Sequence, residues 1–293
     1  MFCKILILCS LTNCNKSVSK DPGCFVEFQS DSYKNKSFYL ASHFGKYQTL
    51  LDSVNADSDG NASGRTYVGW QWKANGGTTS TNTDGDINST VQVNSDAGFS
   101  IVTYNPSNTT TRNIGHGLGV KPDCIIIRNR TRVESWRVWF NVIGQGAIML
   151  NSTGTYTVNS NLVNSATTST FNVGGDFSVN GNYPYVAYCF NNVQGYSKFG
   201  KYVGNGASDA APNTNGPFIY TGFSPALVII KKTSAVDDWL IFDNKRAGYD
   251  PAVYRLYPNS SSAETSGTNN TIQFTSNGFK IRFHGGSLNE SGG

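Results

Sequence analysis

Short apolar runs alternate with Gly-, Asn-, Ser- and Thr-rich punctuation along most of the chain. Lys121-Pro-Asp-Cys-Ile-Ile-Ile-Arg128, Tyr185-Val-Ala-Tyr-Cys-Phe190 and Ser224-Pro-Ala-Leu-Val-Ile-Ile-Lys231 have strand length and are rich in β-branched and aromatic residues. Phe99-Ser-Ile-Val-Thr-Tyr104 mixes apolar and hydroxyl positions in the manner of a strand. No segment carries a convincing 3.6-residue periodicity. The pattern predicts an all-β protein of short strands joined by turns.

Self-similarity organises these runs. Pro122 and Pro225, Ile127 and Ile230, and Trp136 and Trp239 are each 103 residues apart, and the match runs ungapped for about eighteen positions. Trp136-Arg-Val-Trp139 aligns with Trp239-Leu-Ile-Phe242. At the same offset Phe171 falls on Phe274, and Phe177-Ser-Val179 falls on Phe279-Lys-Ile281 at 102. A second motif links Asn61-Ala-Ser-Gly64 before Tyr67-Val-Gly-Trp-Gln-Trp72, Asn180-Gly-Asn182 before Tyr185-Val-Ala-Tyr-Cys-Phe190, and Asn289-Glu-Ser-Gly292.

Each unit therefore reads as an opening strand (Phe99–Tyr104; Phe199–Val203), a Gly-rich turn, a Pro-led strand and a Trp-centred strand. A polar stretch, a Phe-rich strand and a Tyr-Val closing strand complete it. The expected fold class is tandem antiparallel β-sandwich (jelly-roll-like) units of about 100 residues, the last without its closing strand. The expected divisions are 1–60, an atypical or partial first unit; 61–74, its closing strand; 75–97, a polar linker; 98–193, a second unit; and 194–293, a truncated third. An unfilled closing-strand place would expose a sticky edge, as in a fragment of something longer.

Composition narrows the partners. Charged residues are 14%, against roughly 25% in typical globular chains, while aromatics reach 13%, which favours a folded chain over a disordered one. The net charge of +4 is spread thinly and no basic stripe exists, so nucleic acid is not an expected partner. No apolar run approaches the ~20 residues of a membrane-spanning helix. Met1-Phe-Cys-Lys4 followed by Ile5-Leu-Ile-Leu-Cys-Ser-Leu11 has the look of a short, weak signal segment. Four of six cysteines lie in the first 24 residues, which makes no disulfide framework, and no Cys/His cluster has zinc spacing.

Candidate chemistry is sparse. Trp70, Trp72 and Trp139 are the candidate ligand-binding residues, as a sugar-stacking platform, whereas recurrence of Trp136 and Trp239 points to core. Asp57-Ser-Asp-Gly-Asn61 resembles half a calcium loop, so Asp57, Asp59 and Asn61 are the candidate Ca²⁺ ligands; the usual downstream Glu is missing, and no other cofactor is expected. His116, in Gly115-His-Gly-Leu-Gly119, lacks a nucleophile motif and reads as a turn residue. Glu134 and Asp237 supply one carboxylate per unit, where glycoside hydrolysis needs two across a cleft.

Tyr67-Val-Gly-Trp-Gln-Trp-Lys-Ala-Asn75, Gly98-Phe-Ser-Ile-Val-Thr-Tyr104, Gly195-Tyr-Ser-Lys-Phe-Gly-Lys-Tyr-Val-Gly-Asn-Gly206 and Gly216-Pro-Phe-Ile-Tyr-Thr-Gly-Phe223 resemble a repeat domain of unassigned function in structural, tail-fibre-like proteins of marine bacteriophages. The resemblance covers roughly residues 61–293, and residues 1–60 depart from it. It implies a non-enzymatic structural or adhesion role at a virion surface, with host-surface glycans or other virion proteins as partners and homo-oligomers such as trimers. The alternatives are a secreted carbohydrate-binding module and a glycan-cleaving enzyme.

Overall fold

The computed structural model describes residues 4–9, 25–27, 39–41, 70–72, 74, 78–207, 215–246, 252–267, 270–283 and 286–291. Strands β1 (Lys4–Cys9), β2 (Phe25–Glu27), β3 (Tyr39–Ala41) and β4 (Trp70–Gln71) come from the N-terminal part. They are followed by β5 (Ser80–Asn82), β6 (Ser89–Asn94), β7 (Phe99–Tyr104), β8 (Arg112–Gly115), β9 (Cys124–Asn129) and β10 (Arg137–Phe140). Next come β11 (Ile148–Met149), β12 (Val163–Ala166), β13 (Thr170–Val173) and β14 (Tyr185–Phe190). The last group is β15 (Ser197–Tyr202), β16 (Phe218–Tyr220), β17 (Leu227–Lys232), β18 (Trp239–Asp243), β19 (Thr271–Thr275) and β20 (Gly278–Phe283). A one-turn helix, α1 (Gly286–Asn289), is the only helix among the described residues. The protein is all-β, and its strand ladders are antiparallel.

Two large sheets face each other. One has seven strands in the order β11-β10-β9-β14-β7-β6-β5, the other four in the order β15-β1-β17-β18. Alternation along each strand supplies both faces of the larger sheet. Phe99, Ile101, Cys124, Ile126, Trp136, Val138, Tyr188 and Phe190 turn to one side, where they meet Phe199, Leu227, Ile229, Trp239 and Ile241 of the smaller sheet. Val102, Tyr104, Ile125, Ile127, Trp139, Tyr185 and Ala187 turn to the other side, onto Ile114, Val163, Phe171 and Val173 of the sheet β12-β13-β8. The far face of the four-stranded sheet packs Val228, Ile230, Leu240 and Phe242 onto Ile272, Phe274, Phe279 and Ile281 of the sheet β16-β20-β19. The described body is thus four sheet layers with three cores, and the middle core joins the two halves. A further small sheet, β3-β2-β4, precedes it.

The ladders relate the halves residue by residue. β8 pairs with β13, setting Ile114 opposite Phe171; β16 pairs with β20, setting Ile219 opposite Phe279. Phe171 therefore corresponds to Phe279, not to Phe274 as the constant offset predicts, and Phe177 lies in a turn with no counterpart in β20. The chain between the Trp strand and the Phe-rich strand is five residues longer in the second copy, which a fixed offset cannot register. Polar ties repeat as well. The Tyr104 hydroxyl donates to the Val179 carbonyl at 2.6 Å, and that of Tyr202 to the Leu288 carbonyl at 2.8 Å. The Trp136 and Trp239 amides donate to the Asn151 and Asn259 side chains. Positive-φ Gly117 and Gly222 each turn the chain so that the next residue, Leu118 or Phe223, enters a core.

The polar stretch 75–97, read as a linker, contains β5 and β6, which extend the seven-stranded sheet; Ser89, Val91 and Gln92 are buried. Two tryptophans of the Trp strands, Trp139 and Trp239, differ in a testable way. Trp139 is buried with its Nε1–H unpartnered, and Phe242 stands at the equivalent place. Trp239 donates Nε1–H to the Met149 carbonyl at 2.9 Å, across the middle core. Trp239→Phe should destabilise by about 1 kcal/mol or more, because it leaves that carbonyl unsatisfied and opens a void. Trp139→Phe removes an orphaned donor and should cost less. Equilibrium denaturation of both variants checks the order, and a larger loss for Trp139→Phe would refute it.

Candidate contact surface

Of the candidate residues singled out from the sequence, the two whose side chains are described, Trp72 and Trp139, lie in different cores. Trp72 is buried in the middle core with its ring edge-on to Phe190, centroids 6.3 Å apart. Trp139 is buried on the opposite face of the sheet. Neither offers a ring face to a sugar, so the platform reading is corrected for both: each packs in an interior. The Trp70 side chain and Asp57, Asp59 and Asn61 lie outside the described residues. Trp136 and Trp239 are core. Among the described residues no group of three or more His, Cys, Asp or Glu side chains is placed to hold a metal.

The titratable candidates are absorbed by structure. His116 is buried; its Nδ1 accepts from the Leu118 amide at 3.1 Å, which leaves the proton on Nε2, 3.3 Å from the Thr167 carbonyl. Burial, partly offset by that carbonyl and by Asp84, lowers its pKa. Glu134 pairs with Arg132 at 2.7 Å. Asp237 pairs with Lys232 at 3.0 Å and accepts from the Ser287 hydroxyl at 2.7 Å. Burial pushes Asp237 upward, but these partners outweigh it and hold the carboxyl below its ordinary value. The Cys189 thiol is fully buried and pushed far up by desolvation, which makes it a packing residue rather than a nucleophile.

One exposed feature of the surface is repeated. The turns joining β9 to β10 and β17 to β18 align at the 103-residue offset, and each lifts a valine into solvent: Val133 is 94% exposed and Val236 70%. Beside Val133 the Arg132 guanidinium lies 4.6 Å from the Phe177 ring centre and 5.7 Å from that of Tyr183. Phe177 itself is 44% exposed and sits edge-on to Tyr183. Beside Val236 the corresponding support is ionic: Lys232 bridges Asp237 and Glu290 and reaches the Gly286 carbonyl. In both copies the residue ending the Pro-led strand holds the turn ahead of the closing position. Asn129 Nδ2 donates to the Phe177 carbonyl at 3.1 Å where Lys232 Nζ donates to that of Gly286 at 3.3 Å. Alignment of Val133 with Val236 was visible in the sequence; only their exposure separates them from core positions.

A second exposed feature is aromatic. On edge strand β16, Phe218 is 48% and Tyr220 66% exposed, two residues apart and so on one face. Phe218 rests over Gly278 of β20, where an added Cβ would come within 2.9 Å of its Cζ. Periodicity did not pick out this pair, because an edge strand and a core strand share the same alternation.

A family model described as a domain of unknown function (DUF7483) matches residues 29–293. The chain belongs to this family. No curated protein and no solved structure matches it. No described helix of this DUF7483 chain is long and apolar enough to cross a membrane.

His116 and Lys231 give the DUF7483 chain a predictable pH response. Desolvation lowers the pKa of His116, and desolvation by burial lowers that of Lys231 to about 8 despite the attraction of Asp237. A folded pKa below the unfolded one means that the unfolded chain binds more protons between the two values, so stability rises with pH there. For His116 stability is lost as pH falls below about 6.5. For Lys231 it is gained from about 8 up to the ordinary lysine value of 10.5. Denaturation against pH should show the lower step in the parent but not in His116→Asn, and the upper step in the parent but not in Lys231→Met. Steps that persist in these variants would contradict the assignment.

Proposed function

We propose that the chain is a non-enzymatic structural and adhesive module of a virion surface, whose successive units present equivalent hairpin tips to a partner. The observation that carries the reading is the recurrence of a solvent-exposed valine at the same point of two units, Val133 and Val236. Recurrence in a core has a packing explanation; recurrence at a surface does not. The shared middle core fixes the two tips relative to each other. Two weak contacts on one rigid body add through effective concentration. The likeness to tail-fibre-like chains supports the setting, and homo-oligomers would multiply the same contacts.

A carbohydrate-binding module is the second reading, favoured by Phe218 and Tyr220 on the exposed face of β16. Glycan-array binding and sedimentation velocity, run on the full chain with Ca²⁺ and with chelator, separate the two. The adhesive reading expects saturable binding to glycan or to a second copy that falls about tenfold or more in Val133→Asp/Val236→Asp. It expects Phe218→Ala/Tyr220→Ala to bind normally. Loss confined to the aromatic pair would establish the carbohydrate module instead, and no response to the valine pair in either assay would overturn the proposal.

A further inference from the structure

In the second unit the closing strand β14 lies between the opening strand β7 and the Pro-led strand β9. The third unit has the same two neighbours, β15 and β17, and between them lies β1, from the other end of the chain. Its register is that of β14. Tyr185 stands opposite Tyr104 and Asn129, and Phe190 opposite Phe99 and Cys124. Lys4 stands opposite Tyr202 and Lys232, and Cys9 opposite Ser197 and Leu227. Asn129 and Lys232, like Cys124 and Leu227, are 103 residues apart, so β1 takes the place of β14 without a slip of even one residue.

The place makes a specific demand. All six residues of β14 are buried, on both faces of the sheet. A strand covered on both faces must be apolar along its length rather than alternating. Ile5-Leu-Ile-Leu-Cys9 is such a run. After β20 the described third unit supplies α1, not a strand. Left empty, the place would expose two facing rows of unpaired backbone groups in the middle of a sheet.

We infer that Lys4–Cys9 is the closing strand of the third unit, donated in cis across the length of the chain. The donor lies outside the family match, which begins at residue 29, yet completes a sheet within it. Donation ties Lys4–Cys9 to the third unit, and the β15–β17 gap is a site for an apolar strand. The signal-segment reading of the same residues makes the opposite demand, removal of the strand.

Cysteine cross-linking in the full chain tests this directly. In a Cys9→Ser background, Ile5→Cys/Lys201→Cys and Leu8→Cys/Lys198→Cys each place thiols on facing residues. Facing pairs alternate between wide and close along an antiparallel ladder, and the two pairs have opposite parity, so one is the close type a disulfide needs. One pair should oxidise to an intramolecular disulfide in the monomer, seen by non-reducing gel and intact mass. The out-of-register pair Leu8→Cys/Lys201→Cys should not. Cross-links only between chains, equal cross-linking out of register, or none in either pair would overturn closure in cis. Hydrogen exchange gives a second readout without substitution. Amides of β15 and β17 on the edges facing β1 should exchange within about tenfold of their counterparts in β7 and β9. Exchange there about a hundredfold faster would mean that the place is open.

Discussion

The middle core, closed between the seven-stranded and four-stranded sheets, is the contact on which the rest of the molecule depends. It receives Trp136 and Val138 from one Trp strand and Trp239 and Ile241 from the other, with Phe99, Phe190 and Phe199 packed among them. The Nε1–H bond of Trp239 to Met149 crosses it, and so do backbone bonds from Tyr156 to Thr233 and from Asp237 to Thr153. The repeats are therefore not beads on a string. Each lends one face of its principal sheet to a common interior and keeps the other for a core of its own.

Sharing a face changes what each strand must be. A principal sheet covered on both sides needs central strands that are apolar along most of their length, and β9, β14 and β17 are buried at nearly every position. The same constraint explains the hexapeptide at the start of the chain, which enters the sheet where such a strand is required. It also explains the inert chemistry of the interior. His116 is held neutral between two backbone groups, and the Cys189 thiol is buried beyond reach. At the rims, the β9–β10 and β17–β18 turns and the edge strand β16 meet solvent.

Strands with a strong apolar signature were legible without coordinates: β7, β9, β14 and β17 coincide with the runs named from pattern, and the all-β class followed from them. Strands made of Ser, Thr, Asn and Gln were not. β5, β6 and β12 are held by their ladders together with a few buried side chains, Val91, Val163 and Ala166, too few to give an apolar signature. Constant spacing misassigned Phe274 because the second copy is longer beyond its Trp strand. The tryptophans misled for another reason. Alternation tells which residues share a face, but not whether that face is covered, and here both faces of the sheet are. Exposure of Val133, Val236, Phe218 and Tyr220 depends on tertiary neighbours and leaves no local trace.

A rigid pair of hairpin tips requires that the two units behave as one body. The most direct test is scanning calorimetry of the full chain, with tryptophan fluorescence followed in parallel. The shared core predicts one transition, with calorimetric and van't Hoff enthalpies in agreement and both probes coincident. Two resolved transitions, or a fluorescence change that separates from the heat absorption, would contradict the account: the units would then fold independently and the middle core would be only a contact between them.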